Sequence, residues 1–377
     1  MTLTDILDRL VAIPSLPGTA NDAITDAICT YLDRPGVVVH RIPTPEGRWN
    51  ILASIGPVDR PGLMLSGHSD VVSAEGQDWD SDPFVLTAQD DRLVGRGTSD
   101  MKGFLAVMLD LVPDLLAMKL DRPVHLAISC DEEIGCVGVP HLIARLPEVI
   151  APPMACIVGE PSDMAPVLAH KGKQTVEVTF TGRPGHSSDP ARGANAIYPA
   201  ARLALLAEQV AASLRNDGPF DADFLPPCST MQVGVFAGGA AVNIIPEQAR
   251  LLIETRTIPA QPPEAVMARV LSALDDVAAM TPGVDVRWRE LARYPALAPA
   301  KDRGLAERLA MASGRDIVAA VSYGTEAGLF AQAGIPAVIC GPGDITRAHR
   351  ENEYIRRDEL SLCRDVLHRV VSDICMA

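Results

Sequence analysis

Six short stretches of the chain carry histidine, aspartate and glutamate, the residue types that bind divalent metal ions or transfer protons. They contain His68 and Asp70 in GHSDVV, Asp100 in GRGTSDMKG, Asp131, Glu132 and Glu133 in CDEEIG, Glu160 in GEP, His186 in GRPGHSS, and His349 in AHRENEY. Burial and mutual repulsion raise the pKa of neighbouring carboxylates, so a cation is needed to keep such groups ionised near a core. These residue types therefore indicate a metal site built from imidazole and carboxylate ligands.

Each stretch also has an ordinary structural explanation when it is taken alone. Acidic triplets occur in solvated loops, and Asp100 stands where the N-cap of a helix is expected. Residues i and i+2 of a strand face the same side, so the Asp70 carboxylate could accept from one imidazole nitrogen of His68 and leave the other for a metal. The joint occurrence of these groups at strand ends and in loops favours the metal site.

Composition and missing motifs exclude several other classes of function. The 377 residues carry a formal net charge of -15, which argues against nucleic acid or an anionic membrane as a partner. The opening segment MTLTDILDRLVAIPSLPG lacks the basic region and apolar core of a secretion signal, and no run of about 18 apolar residues could span a membrane. We therefore expect a cytoplasmic protein. The eight cysteines form no C-x-x-C pair, and neither a phosphate-binding loop nor a G-x-S-x-G nucleophile motif is present.

The elements that must position these residues follow two patterns. Between residues 60 and 160, the apolar runs GLMLSGHSD, RPVHLAISC and PMACIVGE alternate with helical patterns. This alternation predicts an α/β domain with a mixed, mostly parallel sheet flanked by helices. Ligands bind at the carboxyl ends of the strands in such sheets, where His68, the acidic triplet and Glu160 are expected to meet.

From residue 173 to 290 the predicted order of elements becomes β-α-β-β-α-β, the split βαβ unit of ferredoxin-like folds. The segments are TVEVTF, ANAIYPAARLALLAEQVAASL, STMQVGVFAGG, EQARLLIETR, PPEAVMARVLSALDDVAAM and VDVRWREL. We therefore predict an α+β domain at 173–290, inserted into a catalytic domain formed by 1–172 and 291–377. The last part is expected to hold strands in RDIVAAVSYG and PAVICGPG and a helix from Arg357.

Eight motifs resemble, in order and approximate spacing, those of the dinuclear zinc amidohydrolases and exopeptidases of the M20 family. They are GHSDVV, GRGTSDMKG, CDEEIG, GEP, GRPGHSS, GANAI, GGAAVNIIP and AHRENEY, and SYGTEAGLF is most similar to the acetylornithine deacetylase branch. The resemblance implies a zinc-dependent deacetylase that converts N2-acetyl-L-ornithine to L-ornithine and acetate in arginine biosynthesis. Alternatives are a succinyl-diaminopimelate desuccinylase, another N-acyl amino acid hydrolase or dipeptidase, and a non-catalytic binding protein that retains the fold.

The resemblance also implies which residues hold two Zn²⁺ ions, for which Co²⁺ can substitute. One ion would be bound by His68, Asp100 and Glu160, and the other by Asp100, Glu133 and His349, so that Asp100 bridges them. Consecutive side chains diverge at a strand end, so only one of the adjacent glutamates is expected to be a ligand. Glu132 would then be the catalytic base. A cis peptide bond between Asp100 and Met101 is also implied.

Further roles implied by the resemblance concern the substrate and the subunits. His186 would stabilise the oxyanion, either in its own subunit or across a homodimer that forms through the inserted lid and dimerisation domain. Substrate contacts are expected from Asn243, Arg256, Lys171 and Thr325. Glu326 is a further candidate, for the ammonium group of ornithine.

Overall fold

Residues 1–376 are described by a computed structural model, in which the chain divides into two units. The larger unit comprises Met1–Ala169, Leu297–Ala320 and Thr325–Ala377, and the smaller unit comprises His170–Ala296 and Val321–Gly324. Among residues 1–376, no helix combines the length and the hydrophobicity needed to cross a lipid bilayer.

The strands and helices are as follows. The strands are β1 (Val37–Pro43), β2 (Trp49–Ile55), β3 (Leu63–His68), β4 (Thr87–Gln89), β5 (Arg92–Val94), β6 (Val124–Ser129), β7 (Ala155–Pro161), β8 (Gly172–Thr181), β9 (Thr230–Gly238), β10 (Gln248–Thr257), β11 (Asp285–Tyr294), β12 (Ala337–Gly341) and β13 (Tyr354–Arg356). The α-helices are α1 (Leu3–Val11), α2 (Asp22–Leu32), α3 (Lys102–Ala117), α4 (Val139–Val149), α5 (Ile197–Asp217), α6 (Pro263–Leu271), α7 (Leu274–Ala279), α8 (Gly304–Ser313), α9 (Ala327–Gln332) and α10 (Arg357–Cys375).

The larger unit is built on a six-stranded sheet with the order β1-β2-β6-β3-β7-β12. The pairs from β6 to β12 are parallel, whereas β2 is antiparallel to both β1 and β6. Every residue of β3 and β6 is buried, as expected for central strands covered on both faces. This arrangement confirms the predicted mixed, mostly parallel sheet. It also places the ends of β3, β6 and β7, which lead to the predicted ligands, side by side.

Helix α3 begins two residues after Asp100 and does not use Asp100 as its cap. The N-cap residue is Met101, which makes no side-chain capping bond, so the expectation that Asp100 caps this helix was wrong. The peptide bond between Asp100 and Met101 is cis, as expected. The Asp100 carboxylate is therefore available to other partners.

The smaller unit contains an antiparallel sheet with the order β11-β8-β10-β9, which confirms the predicted split βαβ arrangement. Along β8 buried and partly buried residues alternate, and Val176, Val178 and Phe180 pack in the core with residues of α5 and α6. In the ladder between β8 and β11, Lys173 pairs with Tyr294. The first and last strands of the insertion are therefore neighbours.

Two predicted elements differ in the structure. The single helix expected over PPEAVMARVLSALDDVAAM is divided into α6 and α7, because Ala273 N–H bonds to Val270 O in a tighter turn that interrupts the helical ladder. The strand expected in RDIVAAVSYG was wrong. In that segment Val318 forms an isolated bridge with Val167, and Val321 forms an isolated bridge with His170.

Candidate metal centre

His68 ends β3 and is buried. Its Nδ1 lies 2.8 Å from the carbonyl oxygen of Asp70, which can only accept, so Nδ1 carries the proton of the neutral ring. Its Nε2 lies 3.1 Å from Asp100 Oδ1 and 3.6 Å from Glu160 Oε1. Nε2 can face two carboxylates only if it carries a proton or if a cation lies between the three groups. The geometry therefore fits a metal-ligating imidazole.

The expectation that the Asp70 carboxylate bonds to the His68 ring was wrong. The nearest carboxylate oxygen of Asp70 is 3.7 Å from Nδ1, because the strand ends at His68 and the chain turns, which brings the main-chain carbonyl to the ring instead. The carboxylate accepts from the main-chain N–H groups of Glu132 and Glu133, at 3.2 and 3.1 Å. Asp70 thus fixes the backbone of both glutamates.

The three consecutive acids lie in a turn after β6 and do not share one environment. Asp131 has a left-handed φ of 57° and forms a salt bridge with Arg48. Its other oxygen accepts from Gly18 N–H at 2.7 Å. Sequence reasoning missed Arg48, which lies 83 residues away along the chain. Of the three acids, Glu132 and Glu133 therefore have no arginine or lysine partner among residues 1–376.

Asp100 presents its two oxygens to two different imidazoles. Oδ1 faces His68, whereas Oδ2 lies 3.4 Å from Nε2 of His349. The same nitrogen of His349 is 3.0 Å from Glu133 Oε2, and the other oxygen of Glu133 is buried with no hydrogen-bond partner among residues 1–376. A carboxylate placed in this way can bridge two ions, and the unpartnered Glu133 oxygen fits a cation ligand.

The structure brings all five predicted metal ligands and the predicted base together. Ligand atoms of His68, Glu132 and Glu160 lie within 4.8 Å of one another, and so do those of His68, Asp100 and Glu133. His349 joins them through its contacts with Asp100 and Glu133. Glu132 therefore lies beside Glu160 at the same cluster.

The electrostatics of the cluster are those of a site short of positive charge. Burial raises the pKa of Glu132 to about 8, and burial together with Asp100 raises the pKa values of Glu133 and Glu160. Hydrogen bonds to Asp100 and Glu133 raise the pKa of His349 to about 10. In water such acids would be ionised, so keeping them ionised here requires added cations.

Cys136 is a neighbour of the predicted base that the sequence analysis did not single out. Its Sγ lies 3.1 Å from Glu132 Oε1 and can donate to it. The two residues are four apart in the turn that begins at Asp131, and the main-chain N–H of Cys136 also bonds to the Glu132 carbonyl at 2.8 Å. This turn therefore orients one oxygen of Glu132.

Within the smaller unit, His186 and Asn243 lie together and are exposed. Residues 186 and 244 form a β-bridge, and Ser187 N–H bonds to the Asn243 carbonyl at 3.1 Å. Ser188 N–H donates to His186 Nδ1 at 3.2 Å, so the proton of the neutral ring is on Nε2. Nε2 can therefore serve as a hydrogen-bond donor.

Other predicted substrate contacts are engaged within their own units. Lys171 Nζ donates to the carbonyls of Pro226 and Cys228, both at 2.8 Å. Arg256 bonds to Glu254 at 3.0 Å and to the Tyr294 hydroxyl at 2.9 Å. These contacts hold both cations inside the smaller unit. Their roles in substrate binding remain predictions.

Thr325 and Glu326 are buried at the start of α9 in the larger unit. The Thr325 hydroxyl accepts from Ala327 N–H at 3.0 Å. The two carboxylate oxygens of Glu326 accept from the hydroxyls of Ser66 at 2.5 Å and Ser129 at 2.7 Å. With both oxygens engaged inside the protein, Glu326 is badly placed to bind an ornithine ammonium, and that hypothesis is not supported.

Known proteins resemble this chain over most of its length. Residues 64–373 match the model of peptidase family M20/M25/M40. The acetylornithine deacetylase of Proteus mirabilis (strain HI4320) is 31% identical over 391 residues, covering 100% of this chain and 97% of that protein. The acetylornithine deacetylase of Myxococcus xanthus is 37% identical over 317 residues, covering 84% of this chain and 81% of that protein.

Solved structures share the fold at lower identity. An M20 family metallo-carboxypeptidase from Sulfolobus solfataricus superposes with a TM-score of 0.80 at 20% identity and covers 98% of both chains. A dinuclear metal binding peptidase of the M20 family from Bacillus subtilis gives a TM-score of 0.66 at 16% identity, covering 98% of this chain and 96% of that chain.

Proposed function

We propose a substrate and a mechanism for this chain, which belongs to peptidase family M20/M25/M40 and is a metal-dependent hydrolase of amide bonds. The proposed substrate is N2-acetyl-L-ornithine, and the products are L-ornithine and acetate, as in arginine biosynthesis. The support is the similarity, at 31% and 37% identity, to two acetylornithine deacetylases. The alternatives are a succinyl-diaminopimelate desuccinylase and another hydrolase of N-acyl amino acids or dipeptides.

The observation that carries the mechanism is the buried cluster in which Asp100 divides its oxygens between His68 and His349. We assign one zinc ion to His68, Asp100 and Glu160 and a second to Asp100, Glu133 and His349, with Co²⁺ able to substitute. When bound, such ions polarise an acyl carbonyl and lower the pKa of water towards about 7.

Glu132 is the proposed general base. Its carboxylate takes a proton from the attacking water as the new C–O bond forms at the acetyl carbon, and gives that proton to the nitrogen as the C–N bond breaks. Both metal ions would lower its raised pKa and keep it ionised before the attack. The Cys136 thiol, at 3.1 Å from Oε1, can donate to this oxygen and thereby orients the carboxylate.

His186 is the proposed donor to the oxyanion, because its Nδ1 accepts from Ser188 and its Nε2 therefore carries the proton. Whether it acts in its own subunit or in the partner subunit of a homodimer depends on the assembly. We propose a homodimer formed through the inserted domain. Sedimentation across the dilution range of the assay tests this, since full activity from a monomer would exclude a role across the dimer.

Recognition of the substrate carboxylate is assigned to Arg256 and Asn243, with Lys171 and Thr325 as further candidates. The guanidinium suits a carboxylate because it can donate two parallel hydrogen bonds. We place the reaction in the cytoplasm, which is supported by eight cysteines that are all free thiols.

Purified protein should be analysed for metal and then assayed on a matched panel of substrates. The panel contains N2-acetyl-L-ornithine, N-succinyl-L,L-diaminopimelate, N-acetyl-L-methionine and a dipeptide. We expect two ions per chain and the highest kcat/KM for acetylornithine. A higher value for another member would replace the proposed substrate, and two bound ions without hydrolysis of any amide in a wider panel would favour a binding protein.

A further inference from the structure

We infer that Glu353, together with Arg96 and Gln77, is a positioning residue that holds the loop of Asp100 and the loop of His349 in the arrangement needed by two metal ions. The inference depends on the ligand set proposed above. Glu353 is not itself one of those ligands, although it belongs to the AHRENEY motif that contains His349.

The carboxylate of Glu353 is buried, with 1% of its side chain exposed, and accepts four hydrogen bonds. Oε1 accepts from the main-chain N–H groups of Ser99 and Asp100, at 2.8 and 3.0 Å. Oε2 accepts from Gly97 N–H at 2.9 Å and from Arg96 Nη1 at 2.8 Å. Both oxygens are thus committed to donors of one loop, so Glu353 orients this loop and has no oxygen left for a metal.

The loop from Arg96 to Asp100 has a shape that needs such support. Gly97 has a left-handed φ of 83°, and a Cβ atom there would come within 2.5 Å of Val71. Three N–H groups of this loop point at one carboxylate. Without it they would be buried with no acceptor, which is unfavourable for each of the three groups. The position of Asp100 therefore depends on Glu353.

The same network reaches the loop that carries His349. Gln77 Nε2 donates to the carbonyl of His349 at 2.8 Å, and Arg96 Nη1 donates to the carbonyl of Arg350 at 3.1 Å. Arg96 Nη2 also bonds to Gln77 Oε1. His349 has a left-handed φ of 63°, which is unusual for a residue other than glycine. Gln77 and Arg96 thus stabilise this backbone conformation through the main-chain carbonyls of His349 and Arg350.

The two parts of this network, at Glu353 and at Gln77, support different proposed metal ligands. Glu353 supports Asp100, which is shared between the two proposed ions, whereas Gln77 supports His349, which belongs to one of them. A Glu353→Gln variant keeps the volume but turns one oxygen into an NH₂ group, so two of the four donors must face a donor. A Gln77→Ala variant, at a partly exposed position, removes the donor to the His349 carbonyl and the acceptor of Arg96 Nη2 and Trp79 Nε1, but it leaves the four hydrogen bonds to Glu353 in place.

The test measures zinc affinity of the full-length holoenzyme by competition with a chromophoric chelator, together with the visible absorption spectrum of the Co²⁺-loaded protein. For Glu353→Gln we expect both ions to bind about 10- to 100-fold more weakly and the Co²⁺ spectrum to change. For Gln77→Ala we expect about 10-fold weaker binding of one ion only. The matched control is Asp110→Asn, which weakens a salt bridge to Arg364 between α3 and α10 and should leave both affinities unchanged.

The results of these measurements distinguish an effect on the metal site from a general loss of stability and from a wrong ligand set. Wild-type affinities and spectrum in Glu353→Gln would overturn the inference, and if that variant does not fold, wild-type affinity for both ions in Gln77→Ala would overturn it. Equal weakening in Asp110→Asn would show a general effect of stability, which also overturns it. A His349→Ala variant that keeps two tight ions would instead refute the proposed ligand set.

Discussion

The larger and the smaller unit differ in whether the protein itself supplies partners for the charged side chains compared here. At the carboxyl edge of the six-stranded sheet, Glu133 and Glu160 have raised pKa values, and their ion-pair partners among residues 1–376 are histidines. In the smaller unit, Lys171 donates to two carbonyls, and Arg256 is paired with Glu254. These two cations of the smaller unit have partners within that unit, whereas the acids at the edge of the larger sheet need added cations to stay ionised.

The same contrast exists within the acidic triplet. Asp131 is paired with Arg48, whereas the next two acids have no basic partner of that kind. Asp131 therefore belongs to the scaffold, whereas Glu132 and Glu133 lie where a bound cation would supply the missing charge. This distinction separates a structural carboxylate from two functional ones within three consecutive residues.

The largest expected effect separates the two glutamates. Glu132→Ala should retain two metal ions and lower kcat by about 10³-fold, because a general base contributes roughly 10²- to 10⁴-fold. Glu133→Ala should lose one ion, because it removes the carboxylate that faces His349. Metal analysis and steady-state kinetics on both variants distinguish the roles. Near wild-type turnover in Glu132→Ala would show that the base has been wrongly assigned.

A second prediction concerns a buried histidine outside the metal cluster. His125 in β6 bonds to the Ser54 hydroxyl at 2.8 Å, and burial lowers its pKa to about 4 from the ordinary 6.5. Below pH 6.5 the His125 ring becomes protonated in the unfolded chain but stays neutral in the folded protein. The free energy of unfolding therefore falls as the pH falls towards 4. At about 1.4 kcal/mol for each pKa unit, the loss is on the order of 3 kcal/mol.

Urea unfolding of the wild type and of His125→Gln between pH 4 and 7.5 measures this contribution. The free energy of unfolding should fall less steeply with acid in the variant. Ser54→Ala is the matched control, because it removes the partner but keeps the titrating ring and should keep the steep dependence. Equal slopes in wild type and His125→Gln would contradict the prediction.

The third prediction concerns Lys171. Lys171→Met removes the donor to two buried carbonyls and should lower the free energy of unfolding by about 2 kcal/mol. The metal content should stay at the wild-type value, because these contacts lie within the smaller unit. Unfolding and metal analysis test the variant together. A raised KM with unchanged stability would instead assign Lys171 to the substrate and weaken the contrast between the units.

The smallest expected effect is on substrate affinity. Arg256→Lys replaces a planar fork by a single ammonium and should raise KM for acetylornithine by about 10-fold if this guanidinium also binds the substrate carboxylate. Arg250→Lys, on the same strand and half exposed, is the matched control. Equal KM values for the two variants would contradict a role of Arg256 in binding the substrate carboxylate.

Local patterns of sequence predicted a large part of this molecule. Period-two alternation in TVEVTF and continuous apolar runs in RPVHLAISC are properties of short segments, so they indicate the two kinds of sheet directly. The position of His68, the acidic triplet and Glu160 near strand ends follows from the same patterns. The division of the helix between α6 and α7 was not visible, because the apolar period continues through Leu271 and Leu274.

What the sequence did not predict are partners that are distant along the chain. Arg48 for Asp131, the carbonyls of Pro226 and Cys228 for Lys171, and the two serine hydroxyls for Glu326 are brought together only by the folded topology. The Asp70 carboxylate was assigned to the wrong donor for a related reason. The turn after His68, which decides whether a carbonyl or a carboxylate meets the ring, has no signature in residue type.

The pairing of Lys173 with Tyr294 has a consequence for the history of this architecture. An insertion whose first and last strands are neighbours begins and ends at adjacent positions, so a host chain can accept it without a large separation of the two residues that flank it. Recombination could thus exchange this module between hydrolases without rebuilding the metal-binding host. The short return segment Val321–Gly324 is the one piece of the module encoded elsewhere, and a graft would have to carry it along.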